Sequence, residues 1–222
     1  MNIYSVINCY FSTNTYGGIS MAKLSRSVSN PYTNETVTFL KTTEETKGEY
    51  LLFRTDLPPD NGIFLHYHTE LTETFEGISG NLEVTIDGKK IILKPGETLD
   101  IPRDHIHGFY NPSKEFISFT AEIRPAGTFE SFVRCGYGLD TDGRSFYMPF
   151  LKQYLPKNIL LLGTLFKMGE FYVPYLPLFL QKALFGLLAK LAHWTGADKS
   201  LEKYYIGTVE DALPEQPLQK TP

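Results

Sequence analysis

Residues 35–123 alternate short apolar runs with turn formers, the rhythm of a β-rich unit rather than a helical one. Residues 49–55 are dense in apolar and aromatic side chains, and Pro58-Pro59-Asp60-Asn61-Gly62 then stops the run, which predicts a strand and a turn. Residues 63–68 predict a second apolar strand. Residues 81–86 alternate apolar and polar positions, Asp87-Gly88 supplies two residues that tolerate positive φ, and residues 89–93 return; this predicts a tight hairpin. Pro95-Gly96 predicts a turn, followed by strands at 98–102 and, with period two, at 115–123. Several strands joined by such short connections predict a sandwich or barrel.

After Pro125 the texture changes. Residues 128–135 predict a short helix and residues 147–194 an apolar helical extension. Within it, residues 178–192 follow Pro177, a favoured first helical residue, and their polar positions Lys182, Gly186 and Lys190 recur every four residues. The wide apolar surface that remains must be covered, and packing on the barrel, on another helix or on a second subunit is expected, with a homodimer as the expected assembly. A helix of about 15 residues with two lysines does not span a bilayer, so a membrane anchor is not expected, and a membrane-surface role is the alternative to packing against protein. His193 near Gly196 reads as part of a helix C-cap. The expected organisation is an N-terminal arm, partly disordered, over residues 1–34, a barrel over 35–125, a helical extension over 126–206 and a flexible tail over 207–222.

Length and charge narrow the function classes. A chain of 222 residues holds one well-buried domain plus additions. Lys and Arg total 21 against 25 Asp and Glu with no dense basic run, which excludes a nucleic-acid footprint. Cys9 and Cys135 lie far apart and match no zinc or redox spacing, and no secretory leader pattern opens the chain; a cytoplasmic protein is expected. No nucleophile-plus-base set, phosphate-cradling loop or nucleotide motif is present.

The chemistry concentrates in the histidines, four of whose five members lie between positions 66 and 107. His66 and His68 are two apart in an apolar strand and so point to one face. Glu73 follows after room for a bend, and His107 arrives on another strand. Burying such groups without a partner is costly, whereas three neutral nitrogens and a carboxylate hold one divalent transition metal with coordination positions left open. Iron or manganese suits this set better than a structural zinc; nickel, zinc and copper remain compatible. His105 reads as a rim residue. Tyr50, Phe53, Phe64 and Phe75 are candidates for an apolar pocket, and Thr120 and Glu122 are expected to face solvent.

Gly62-x3-His66-x-His68-x4-Glu73-x6-Gly80, followed by Gly96-x5-Pro102-x4-His107-x3-Asn111, resembles the two signature motifs of the cupin superfamily. The resemblance implies a mainly β fold, the cupin double-stranded β-helix or jelly-roll barrel, here with a C-terminal α-helical extension, and metal ligation by His66, His68, Glu73 and His107. It departs from the family pattern in the short spacing after Gly62, in Asp104, where a glycine is usual, and in Gly77, where an apolar β residue is usual and a local bulge is expected. The implied function is a metal-dependent, oxygenase-like enzyme acting on a small organic substrate. A non-catalytic small-ligand-binding barrel and a metal-dependent isomerase or lyase are the alternatives.

Overall fold

A computed structural model describes residues 23–209; the first 22 residues and the segment from 210 onward, with Cys9 and most of the expected tail, lie outside the described residues. After β1 (Lys23–Leu24), which pairs with Thr208–Val209 outside the barrel, the barrel strands are β2 (Ser27–Ser29), β3 (Thr36–Lys41), β4 (Leu51–Leu57), β5 (Gly62–His66), β6 (Thr72–Ser79), β7 (Leu82–Ile86), β8 (Lys89–Leu93), β9 (Thr98–Ile101), β10 (His107–Tyr110) and β11 (Ile117–Arg124). Beyond them come α1 (Phe129–Thr141), β12 (Ser145–Met148), β13 (Gln153–Pro156), α2 (Ile159–Met168), α3 (Leu178–Thr195), α4 (Lys199–Tyr205) and β14 (Thr208–Val209).

Two antiparallel sheets form the jelly roll, one ordered β2-β3-β4-β11-β6-β9 and the other β5-β10-β7-β8. Alternation along the strands decides what lies between them. In β11, Phe119, Ala121 and Ile123 point inward and are fully buried, while Thr120 and Glu122 point outward, and Glu122 pairs with Arg124. Phe75, Phe109 and Phe119 meet edge to face across the sheets, with centroids 5.0–5.8 Å apart, an arrangement that adds to their area burial. The β7–β8 hairpin turns at Asp87 and Gly88 with φ of 48° and 79°. At Gly77 the expected bulge is present: β11 pairs with Ser79 and then Gly77, skipping Ile78. A Cβ on Gly77 would lie 2.3 Å from the Lys94 carbonyl oxygen, so only glycine admits the chain passing there.

Two readings change. Residues 23–34, expected to belong to an N-terminal arm, are part of the fold: β2 adds to the edge of the larger sheet and Arg26 is buried, bonded to Glu45 at 2.6 Å and to the Phe39 carbonyl. The expected helical stretch from 147 instead opens in a hairpin, β12–β13, since Phe146, Tyr147 and Tyr154 favour strand and Pro149 with Lys152 at φ 52° turns the chain. From 159 onward the extension is helical. Cys135, Leu139, Leu161, Leu165 and Leu201 form a second core that joins α1, α2 and α4. Gly196, at φ 73°, closes α3, while the His193 side chain pairs with Asp198 rather than with the helix end. Among the described residues, no helix is long and apolar enough to cross a membrane.

Candidate metal centre

All four residues expected to share a site are brought together: donor atoms of His66, His68, Glu73 and His107 lie within 4.8 Å of one another, and every one of these residues is buried. The fold explains the convergence. His66 ends β5 and is paired directly with His107, the first residue of β10. Glu73 comes from the opposite sheet, on the inward face it shares with Phe75 of β6. His68 sits in the connection between the sheets, where Asp104, in the left-handed region at φ 67°, donates its N–H to the His68 carbonyl at 2.7 Å. That conformation is why a glycine or an aspartate occupies this position.

Each imidazole is oriented by its own backbone acceptor. The Nδ1 atoms of His66, His68 and His107 lie 2.8, 2.9 and 2.9 Å from the carbonyl oxygens of Phe64, Glu170 and His105. A carbonyl only accepts, so Nδ1 of each ring carries a proton and Nε2 is the atom turned toward the centre; burial alone would lower His107, but Glu73 outweighs it and raises the ring above its ordinary value. Nε2 of His68 and Nε2 of His107 are buried with no hydrogen-bond partner, yet each lies 3.3 Å from a Glu73 carboxylate oxygen. Burial would raise the Glu73 carboxyl, but His107 and His68 outweigh it and hold it well below the usual carboxylate range. Burial and the two neighbouring histidines push His66 well below its ordinary value, so it stays neutral. Three imidazoles and a carboxylate packed together in a dry site are costly without a further partner. A divalent cation satisfies all of them at once, so the residues present fit a metal.

The helical extension builds part of this centre, which sequence reasoning missed. Just after α2, the Glu170 carbonyl orients His68, and its carboxylate accepts from the backbone N–H of Thr69 and of Glu70 at 2.7 Å and from the Thr69 hydroxyl. Phe171 stacks flat on His66, with centroids 3.9 Å apart and planes 10° from parallel. Tyr67 and Tyr172 bridge by two backbone hydrogen bonds. The only local signal was Gly169-Glu170 ending an apolar helix, which announces a turn but not its destination. His105 turns its side chain outward to Asp87 at 2.6 Å and serves the centre through its carbonyl alone.

Beside the centre lies a cavity of about 200 Å³ lined by His66 and Glu73, with Phe53, Phe64, Phe75 and Phe171 among its walls. Tyr50 lies apart, under the Arg124 guanidinium. Other lining residues are acidic and phenolic: Glu35, Tyr137 and Asp140. Although Glu35 keeps some exposed surface, burial raises its carboxyl to about 7, outweighing the hydrogen bonds from Tyr137 and Asn61, and the Asp140 charge adds to the rise. Burial also raises Asp140 to about 6, against hydrogen bonds from Ser145 and Asn30. A carboxyl whose folded value exceeds its unfolded one binds its proton more tightly when folded, so its stabilising contribution is present at low pH and lost as pH rises. Stability should therefore fall as pH is raised from the unfolded value of 4.5 through about 7. Urea midpoints measured across that window should fall less for Glu35→Gln; an equal fall in both proteins would refute this assignment.

Residues 53–121 match the cupin domain family. This chain carries a cupin domain. Quercetin 2,3-dioxygenase of Bacillus subtilis (strain 168) is 31% identical to it over 91 residues, which cover 41% of this chain and 26% of that protein. The chain thus spans about a quarter of the length of that curated relative. Among solved structures, the cupin domain of an XRE family transcriptional regulator from Enterobacter cloacae is 26% identical, with a TM-score of 0.37, over 40% of this chain and 95% of its own. A predicted oxalate decarboxylase from Thermotoga maritima is 22% identical, with a TM-score of 0.41, over 48% of this chain and 93% of its own. All four candidate ligands fall inside the matched cupin domain, whereas Glu170 and Phe171 fall outside it.

Proposed function

We propose that this protein is a metal-dependent, oxygenase-like enzyme acting on a small, largely apolar organic substrate, with one divalent metal held by His66, His68, Glu73 and His107. The observation that carries the reading is the pair of buried, unpartnered Nε2 atoms facing an ionised carboxylate beside an aromatic-walled cavity. The 31% identity to a quercetin dioxygenase across the cupin region supports it. A metal bound by three nitrogens and one oxygen supplies Lewis acidity and open positions for dioxygen or a substrate oxygen. Iron or manganese is favoured, because a carboxylate with three imidazoles suits octahedral divalent ions.

The chain's own residues supply the rest. Backbone acceptors fix the three imidazoles so that they need not reorient when loaded. Phe64 and Phe171, which meet edge to face at 5.2 Å, give a flat substrate a wall to lie against and exclude water from the reacting end. Glu35, about half ionised near neutral pH, can accept a hydrogen bond from a hydroxyl or donate one to an oxygen. The test is oxygen uptake by protein loaded with iron or with manganese under anaerobic conditions and then given quercetin and simpler hydroxylated aromatics in air. Uptake that needs both metal and substrate, and that a chelator stops, is expected. A metal-loaded protein that binds these compounds without consuming oxygen would instead be a binding module.

A further inference from the structure

Helix α3 has three faces, and the described residues cover only one of them. Gln181, Phe185 and Ala192 are its buried residues. The Gln181 side chain accepts from the Val173 N–H and donates to the carbonyls of Val173 and Leu176 at 2.7–2.8 Å. Phe185 packs against Phe166, and Leu188 closes on Gly163, where an added Cβ would lie 2.4 Å away. These contacts lock the rotation of the helix. A second face carries Lys182, which reaches back to Thr69. The third face is apolar and open: Leu180, Leu184, Leu187 and Trp194 recur at helical spacing and are 49, 48, 55 and 83% exposed, with Phe179 beside them at 70% and Leu176, just before the helix, at 52%. Among the described residues, the barrel and the other helices therefore leave uncovered the surface that the sequence required something to bury.

Charge identifies what fits there. The chain as a whole carries a net charge of −4, yet residues 171–197 contain no Asp or Glu and two lysines, Lys182 and Lys190. Residues 147–194 hold five lysines and a single acidic residue, Glu170, whose carboxylate is turned onto the Thr69–Glu70 backbone. By helical spacing Lys190 flanks the open stripe, placed to reach past it as lysines do at a lipid interface. A second copy of this helix would bring the same lysines and no carboxylate to meet them. An anionic bilayer surface meets both features: it takes up the apolar side chains, and its headgroups attract the cations.

We propose that the outward face of α3 seats the protein on anionic lipid bilayers, lying flat in the interface without crossing it. An 18-residue helix is about 27 Å long, enough to present this whole stripe in the plane of the membrane. The test uses the full chain with vesicles of phosphatidylcholine alone and of phosphatidylcholine mixed equally with phosphatidylglycerol. Co-sedimentation is expected with the anionic vesicles and should weaken as salt is raised. A variant carrying Leu180→Gln and Leu187→Gln alters only exposed side chains, so it should keep its melting temperature and metal content while losing lipid affinity by about tenfold or more. Lys190→Glu should weaken binding to the anionic vesicles alone. Failure to sediment with either vesicle overturns the proposal, as does binding that the double variant leaves unchanged. A lipid-free dimer in light scattering that the double variant disperses, with no vesicle binding, would make the occupant a second copy and overturn it equally.

Discussion

Replacing His68 and His107 with alanine should reduce metal in the purified protein from about one ion per chain to less than about a tenth of that, while leaving a folded barrel. These two rings carry the unpartnered Nε2 atoms, so their loss removes metal donors, and only the Glu170 and His105 carbonyls lose a side-chain donor. Glu73 owes its low value to the same two histidines; without them burial dominates, the carboxyl takes up a proton, and its charge no longer has to be held in a dry site. The metal-free variant should therefore melt close to the metal-free wild type. The difference appears when metal is added. A ligand at about a hundred times its dissociation constant stabilises the folded state by about 2.7 kcal/mol, which for a chain of this size is a rise of roughly 5–10 °C in Tm. Wild type should show that rise and the double variant none. Elemental analysis that still finds a full site in the variant would show that the metal, if present, is bound elsewhere.

What the sequence made legible, and what it hid, follows from the range of the interactions. The Asp87-Gly88 hairpin is local, and its two positive-φ residues are named by their chemistry. The two-residue period of β11 is equally local and sorted Phe119, Ala121 and Ile123 from Thr120 and Glu122 before any coordinates were needed. The His66–His68 spacing placed both rings on one side because strand geometry does so anywhere. The β12–β13 hairpin was hidden because Phe146, Tyr147 and Tyr154 lie in a stretch whose overall apolar content reads equally well as helix. Which face of α3 stays open was not legible for a physical reason: a helix apolar nearly all round can press only one side onto its neighbour α2, and periodicity does not say which side has a neighbour. The contribution of Glu170 and Phe171 had no local signature beyond the turn that Gly169-Glu170 announces, since their partners His66 and His68 lie about a hundred positions earlier.

That long-range contact carries the second large expectation: Phe171→Ala should weaken metal binding by about 10- to 100-fold although Phe171 donates nothing to the metal. Its ring is 4% exposed and stacks on His66 at 3.9 Å, with His68 edge-on at 5.8 Å. Truncating it opens a void beside the ligands, and a buried Phe-to-Ala change costs about 3–5 kcal/mol of stability. The stability loss and the affinity loss separate by measurement. Phe171→Leu restores most of the volume without the flat stack, so it should recover much of the melting temperature but less of the affinity. Glu170→Ala keeps the carbonyl that orients His68 and removes the carboxylate that holds the Thr69 and Glu70 N–H groups. It should loosen the turn after His68 and weaken affinity less than Phe171→Ala. Competition against a chelator of known strength gives the affinities, and melting of the metal-free proteins gives the stabilities. If the Phe171 variants melt lower but bind metal as tightly as wild type, the extension merely props the barrel. If affinity falls further than the stability of the metal-free protein explains, the extension is part of the metal centre, and the cupin domain alone is an incomplete site.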